Sequence, residues 1–235
     1  MLKDNNANAG TTWMHITNDA VVVARWESHL GNQSASQGTV VARSRGILDV
    51  SCTARLVTQG ALRLGSGKDV TNRFNRGDVT IRDAAALDAA AISVGWRSCA
   101  TGVLEVVDNA SLTMSGSLYL GQGSNSWGYV TLAGHSRNII GGILGIAYQT
   151  GVSSYGEFVM DDDATVSLSP DHGNWLCLGS HTHAGSVARF TAKGRSRLTA
   201  AGAASIEMGY GFDADLELNA TDDAVVTFPG GYVTN

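Results

Sequence analysis

Along most of its length the chain alternates apolar and polar residues in short runs, and the runs themselves recur. One unit reads as two alternating runs, a small-residue corner, and a third run that ends in glycine. Residues 46–67 (GILDVSCTARLVTQGALRLGSG) and 102–123 (GVLEVVDNASLTMSGSLYLGQG) align without a gap. Leu48, Val50, Leu56, Leu62, Leu64 and Gly65 then fall on Leu104, Val106, Leu112, Leu118, Leu120 and Gly121. The segment from Trp13 to Gly31 fits the same frame. A spacing of two puts every other side chain on one face, which is strand geometry and not helix geometry. No such unit buries its apolar face alone, so the units must stack.

Stacked position by position, the units form columns of one chemical type. Met14, Leu48, Val79, Leu104, Val130 and Phe158 make one column; Ile16, Val50, Ile81, Val106, Leu132 and Met160 make its neighbour. The third run contributes Leu62, Ile92, Leu118, Leu144, Leu176 and Ile206, followed by Leu30, Leu64, Val94, Leu120, Ile146, Leu178 and Met208. Between those two lies a mixed, largely polar column: His29, Arg63, Ser93, Tyr119, Gly145, Cys177 and Glu207. One face is dry and the other wet.

The pattern predicts an all-β chain. It is a single-domain parallel β-helix (a β-solenoid) of about seven three-strand coils over residues 13–235, behind a polar N-terminal tail at 1–12. The alanine-rich stretch 83–91 favours helix locally. Its column nevertheless puts Leu87 and Ala89 in a strand, and tertiary context overrides propensity. Gly31, Gly65, Gly95, Gly121, Gly179 and Gly209, with Ala147 in the remaining place, suit corners that need positive φ or close backbone approach. Loops are inserted mainly after these residues, at one corner, as a solenoid tolerates. Asn18-Asp19, Asp108-Asn109 and Asp162-Asp163 precede the second strand and suit turns for their own reason, side-chain bonding to nearby backbone.

Composition narrows the function. With 29 glycines and only 16% charged residues the chain suits many short strands and turns. A net charge of −5 argues against nucleic acid, which needs a clustered basic surface. No apolar run reaches membrane-spanning length. Three cysteines cannot all pair within one chain, and Cys52, Cys99 and Cys177 fall at a corner, a loop and an outward strand position, so free thiols are expected. Residues 1–10 lack the basic head and apolar stretch of a secretion signal. The low-charge composition still suits an extracellular or cell-surface address, with any signal removed or outside this sequence.

The register G-x-L-x-V-x-x-x-A-x-L-x-x-x-G-x-L-x-L-G, as in residues 102–121, resembles the β-strand repeats of bacterial autotransporter passengers and related surface proteins. The likeness runs from about Trp13 to Phe228, and the residues after Phe228 are too few for the outer-membrane barrel of that family. It implies a parallel β-helix. That superfamily holds adhesins, polysaccharide lyases and hydrolases, phage tailspikes and surface stalks, so fold alone does not choose among them.

Enzymes of the resembled fold set carboxylates on the outer face of adjacent coils. Here Asp49 and Glu105 share an outward column with Thr80 between them, about 9–10 Å apart. That is near the upper end of the separation in inverting glycosidases. The column offers no third partner, so no enzyme and no catalytic residue is expected. His172, His181 and His183 near Cys177 lack the paired spacing of a zinc module, and residues 161–163 lack a calcium-loop pattern. Neither metal nor cofactor is implied. Trp96, Trp127, Tyr148, Tyr155 and Tyr210 follow the terminal glycines. If the loops stack, they line one edge as a platform for surface glycans, unless they fold over the corners as caps. Met14, Ile16, Val22 and Leu30 in the first coil, and Leu216, Leu218, Val226 and Phe228 in the last, form apolar ends. A stacked sheet leaves strand edges open there, and a head-to-tail contact that closes no ring makes a filament. The expectation is a structural surface protein whose partner is itself. A carbohydrate-binding adhesin and a polysaccharide-cleaving β-helix are the alternatives.

Overall fold

The computed structural model describes residues 10–31, 44–66, 75–148, 152–169, 175–179, 185–201, 205–209, 214–228 and 233–234. Every regular element among them is a β-strand. The first sheet holds eight parallel strands: Gly10–Ile16, Ser44–Val50, Asn75–Ile81, Ala100–Val106, Trp127–Leu132, Tyr155–Met160, Val187–Ala192 and Asp215–Ala220. Each opens one coil and pairs only with the coils before and after it. The register matches the sequence columns residue for residue, from Met14 opposite Leu48 through Val79, Leu104, Val130 and Phe158, and on to Phe190 and Leu218. The third-run columns hold too, from Ser28 opposite Leu62 to Leu178 opposite Met208. Among the described residues no helix is long and apolar enough to cross a membrane.

The second and third runs share a 14-stranded sheet. In two coils they merge: Arg55–Ser66 and Ala86–Trp96 pass through the corner as single strands, with an irregularity between Thr58 and Ala61. The alanine-rich stretch is therefore extended, and Leu87 and Ala89 are buried. A helix there would leave the ladder of the preceding strand unpaired, which a buried backbone does not tolerate.

The core is a stack of aliphatic layers, with Phe158 and Phe190 lying flat on each other at 5.6 Å. Fully burying one such side chain contributes about 1.5–3 kcal/mol. At the corner after each first-sheet strand, the second turn residue has positive φ: Asn18, Cys52, Asp83, Asp108, Gly134, Asp162, Gly194 and Asp222. Where it is aspartate, its carboxylate reaches back one coil and accepts a turn N–H. Asp83 takes Cys52 N at 2.8 Å, Asp108 takes Asp83 N at 3.1 Å, and Asp162 and Asp222 take Gly134 N and Gly194 N at 3.2 Å. These acids brace coil to coil.

The closing corners are the seven residues expected, Ala147 included (φ 49°). A Cβ on Gly65 or Gly121 would run into the carbonyl of Thr101 or Tyr155. Gly46, Gly77, Gly102, Gly128 and Gly156 form a second column facing them, and a Cβ on Gly77 would lie 2.5 Å from Gly65 N. Backbone packs on backbone along this edge. Towards the last coil the second column becomes Ala188 and Leu216, and the Leu216 side chain takes the place of backbone against Gly179 and Gly209. Just ahead of the first-sheet strands, or at their start, runs a buried polar column. In it Ser44 bonds Asn75 at 2.9 Å, and Ser154 bonds Ser186 at 2.9 Å.

Candidate functional site

On the outer face of the first sheet Asp49, Thr80 and Glu105 do stand in adjacent coils. Asp49 is gripped from the next corner by Arg82, whose Nε and Nη2 meet its two oxygens at 3.0 Å each. His15 Nδ1 adds a contact at 3.4 Å. The Arg82 hydrogen bonds hold the Asp49 carboxyl below the usual carboxylate range, outweighing its partial burial. Glu105 accepts from Thr80 Oγ1 at 3.3 Å. A carboxylate with both oxygens committed to a guanidinium is an anchor, and it has no proton to donate near neutral pH.

The same face carries two clusters that the sequence columns did not single out. Arg45 and Arg76 converge on the nearly buried Asp78, at 2.6 and 2.7 Å. Two and three coils along, the rings of Tyr129 and Tyr155 lie 5.4 Å apart at 40°, and Tyr155 donates to Glu157 at 3.0 Å. Burial first, and then Glu157, pushes both phenols above their ordinary pKa. Arg189 stands 5.8 Å over the Tyr155 ring and pairs with Glu217 at 3.3 Å.

The expected aromatic edge divides in two. Trp96 and Tyr148 come directly after a positive-φ corner and fold back over the outer face of the third run. Trp127 and Tyr155 come several residues later and open first-sheet strands instead. Trp96 is covered by cations, with the Arg63 and Arg97 guanidinium carbons 3.3 and 4.0 Å from its ring centre. Glu27 ties Arg63 to His29 beneath it. Tyr148 stacks on Tyr119 at 5.5 Å and 8° and is buried. Gly145 leaves the room for it, since a Cβ there would lie 2.8 Å from Tyr148 Cβ. Cys177, in the same outward column, is also buried. Burial and then Glu207, 3.7 Å from its sulfur, push the thiol up to about 12. Cys52 and Cys99 are free as well. Tyr210, His172, His181 and His183 lie outside the described residues. Among those described, no three His, Cys, Asp or Glu side chains converge as metal ligands.

The two ends differ from the middle. Ile16 and Leu30 are already covered, at 2% and 4% exposure, but Met14, Val22, Leu216, Leu218, Val226 and Phe228 are only partly buried. Interior members of the same columns, such as Leu104 and Leu118, are wholly buried. A cavity of about 170 Å³ opens at the first coil, lined in part by Met14, Val22, Ala24, Leu48, Leu56 and Thr58. The first coil also exposes Trp13, Val21, Val23 and Trp26, the last at 84%. Their outward positions escape a search for core columns. No family model, no curated protein and no solved structure matches the chain.

Proposed function

We propose that this chain is a structural β-solenoid element of the cell exterior whose copies stack end to end into a filament. One observation carries the reading: both end coils repeat the interior apolar columns yet leave Met14, Val22, Leu216, Leu218, Val226 and Phe228 only partly buried. Apolar columns in register are what another coil of the same geometry covers best. The extracellular address rests on the low-charge, glycine-rich composition and on the likeness of the repeat to autotransporter passenger strands. Electron microscopy of the full chain across a concentration series tests the reading. Rods that lengthen with concentration support it, and isolated monomers at every concentration refute it.

The Tyr129–Tyr155–Glu157–Arg189 cluster favours a second reading, glycan binding, because it sets partly exposed rings beside a carboxylate and a guanidinium. Binding on a glycan array that Tyr155→Ala weakens would put this reading first. For the polysaccharide-cleaving alternative the Arg82 grip on Asp49 is unfavourable. Turnover of any glycan that is lost in Asp49→Asn would reinstate it.

A further inference from the structure

We infer that the end-to-end contact is a knob in a hole: Phe228 of one copy enters the cavity at the first coil of the next. The inference rests on the stacking reading above and names the residues that would make the contact. The inward column Ala24, Thr58, Ala89, Met114, Ile140, Leu168 and Ala200 is continuous through the second sheet. It begins with three small residues, which is why a cavity opens beside Ala24 and Thr58. At the far end Thr227 pairs with Thr199, so Phe228 stands in this same column beside Ala200. One more step of the same stacking sets the largest residue of the column over its smallest. That step also lays Leu218 on Met14 and Val226 on Val22, all four partly buried in the single chain.

The corner repeats the match. Each aspartate brace leans back one coil, and Asp222 is the last of them among the described residues. Asn18 holds the equivalent place in the first coil, also at positive φ. Its amide oxygen is an acceptor suited to Asp222 N–H, and it brings no second negative charge to that position. The neighbouring turn position is less favourable. Within the chain it runs Asp19, Thr53, Ala84, Asn109, His135, Asp163, Arg195, Asp223, and no two acids are adjacent. Asp163 sits between His135 at 3.5 Å and Arg195 at 2.7 Å. Stacking sets Asp223 against Asp19, so the contact carries one like-charge step, and added salt screens it.

Sedimentation velocity on the full chain tests this, with thermal unfolding to confirm that each variant is folded. Phe228→Ala removes the knob, and Ala24→Phe fills the hole from the other side. Each is expected to weaken association about tenfold or more, and that factor corresponds to about 1.4 kcal/mol. Asp223→Arg is expected to tighten association and to reverse its response to salt. If the native chain assembles and neither Phe228→Ala nor Ala24→Phe shifts it, the knob is wrong and end-to-end stacking survives. If the native chain and Asp223→Arg both stay monomeric, the stacking reading itself falls.

Discussion

Thr58 places a hydroxyl in an inward column between Ala24 and Ala89, buried and without a hydrogen-bond partner. Leaving such a group unpaired costs about 1–3 kcal/mol. Thr58→Val keeps the shape and removes the hydroxyl, so urea unfolding should show a gain of about 1 kcal/mol. Asp49 makes a prediction of the opposite kind. Its folded-state carboxyl titrates below its unfolded value because Arg82 holds the charged form. The stabilisation is therefore present above the unfolded value, about pH 3.9, and is lost as pH falls through the lower folded one. Asp49→Asn should lower stability at pH 7 and flatten the loss between neutral and acid pH in a series of thermal melts. The column placed Asp49 correctly on the outer face. It was silent about Arg82, because the grip comes from a corner residue one coil on, at a position outside any strand column.

At the scale of the element, the closing corner sets the strictest demand. Gly121 has a φ of 64°, and a Cβ there would meet the Tyr155 carbonyl. Gly121→Ala combines a left-handed backbone, which costs an L-residue about 1–2 kcal/mol, with a backbone clash two coils of chain away. Thermal unfolding should drop well beyond the effect of Gly185→Ala, where the nearest atom is a serine hydroxyl 3.4 Å away. The glycine corners were legible because one residue type recurs at one position. The serine column was not, since loops of unequal length separate Ser44, Ser126 and Ser154 from the preceding corners at Gly31, Gly121 and Ala147. The aromatic edge divides in two for a related reason. Distance from the closing corner, here Ala147, decides whether a ring folds back, as Tyr148 does, or opens the next strand, as Tyr155 does. Counting loop residues as one class hid that difference.

Across the whole molecule each coil pairs its strands with its neighbours and reaches one coil further only at the closing corner, so stability is close to a sum of coil and interface contributions. Hydrogen exchange should therefore be slowest in Ala100–Val106, which has coils on both sides. In the monomer it should be faster in Asp215–Ala220, paired on one side only. Equal protection in both strands at low concentration would contradict a nearest-neighbour solenoid. The architecture was readable at this scale because in-register stacking turns one structural position into one sequence column. The ends were not, because their significance lies in what covers them. The aspartate braces bear on this directly. Every one leans the same way, towards the amino-terminal coil, and every strand of the first sheet runs the same way. The rod is thus vectorial: its two tips are different surfaces, and like tips can meet only with their strands antiparallel, which does not continue the parallel ladder. A fibre stacked as proposed would have a plus end and a minus end, so one held at its base would lengthen only at its tip, with every subunit's outer face turned out in the same sense.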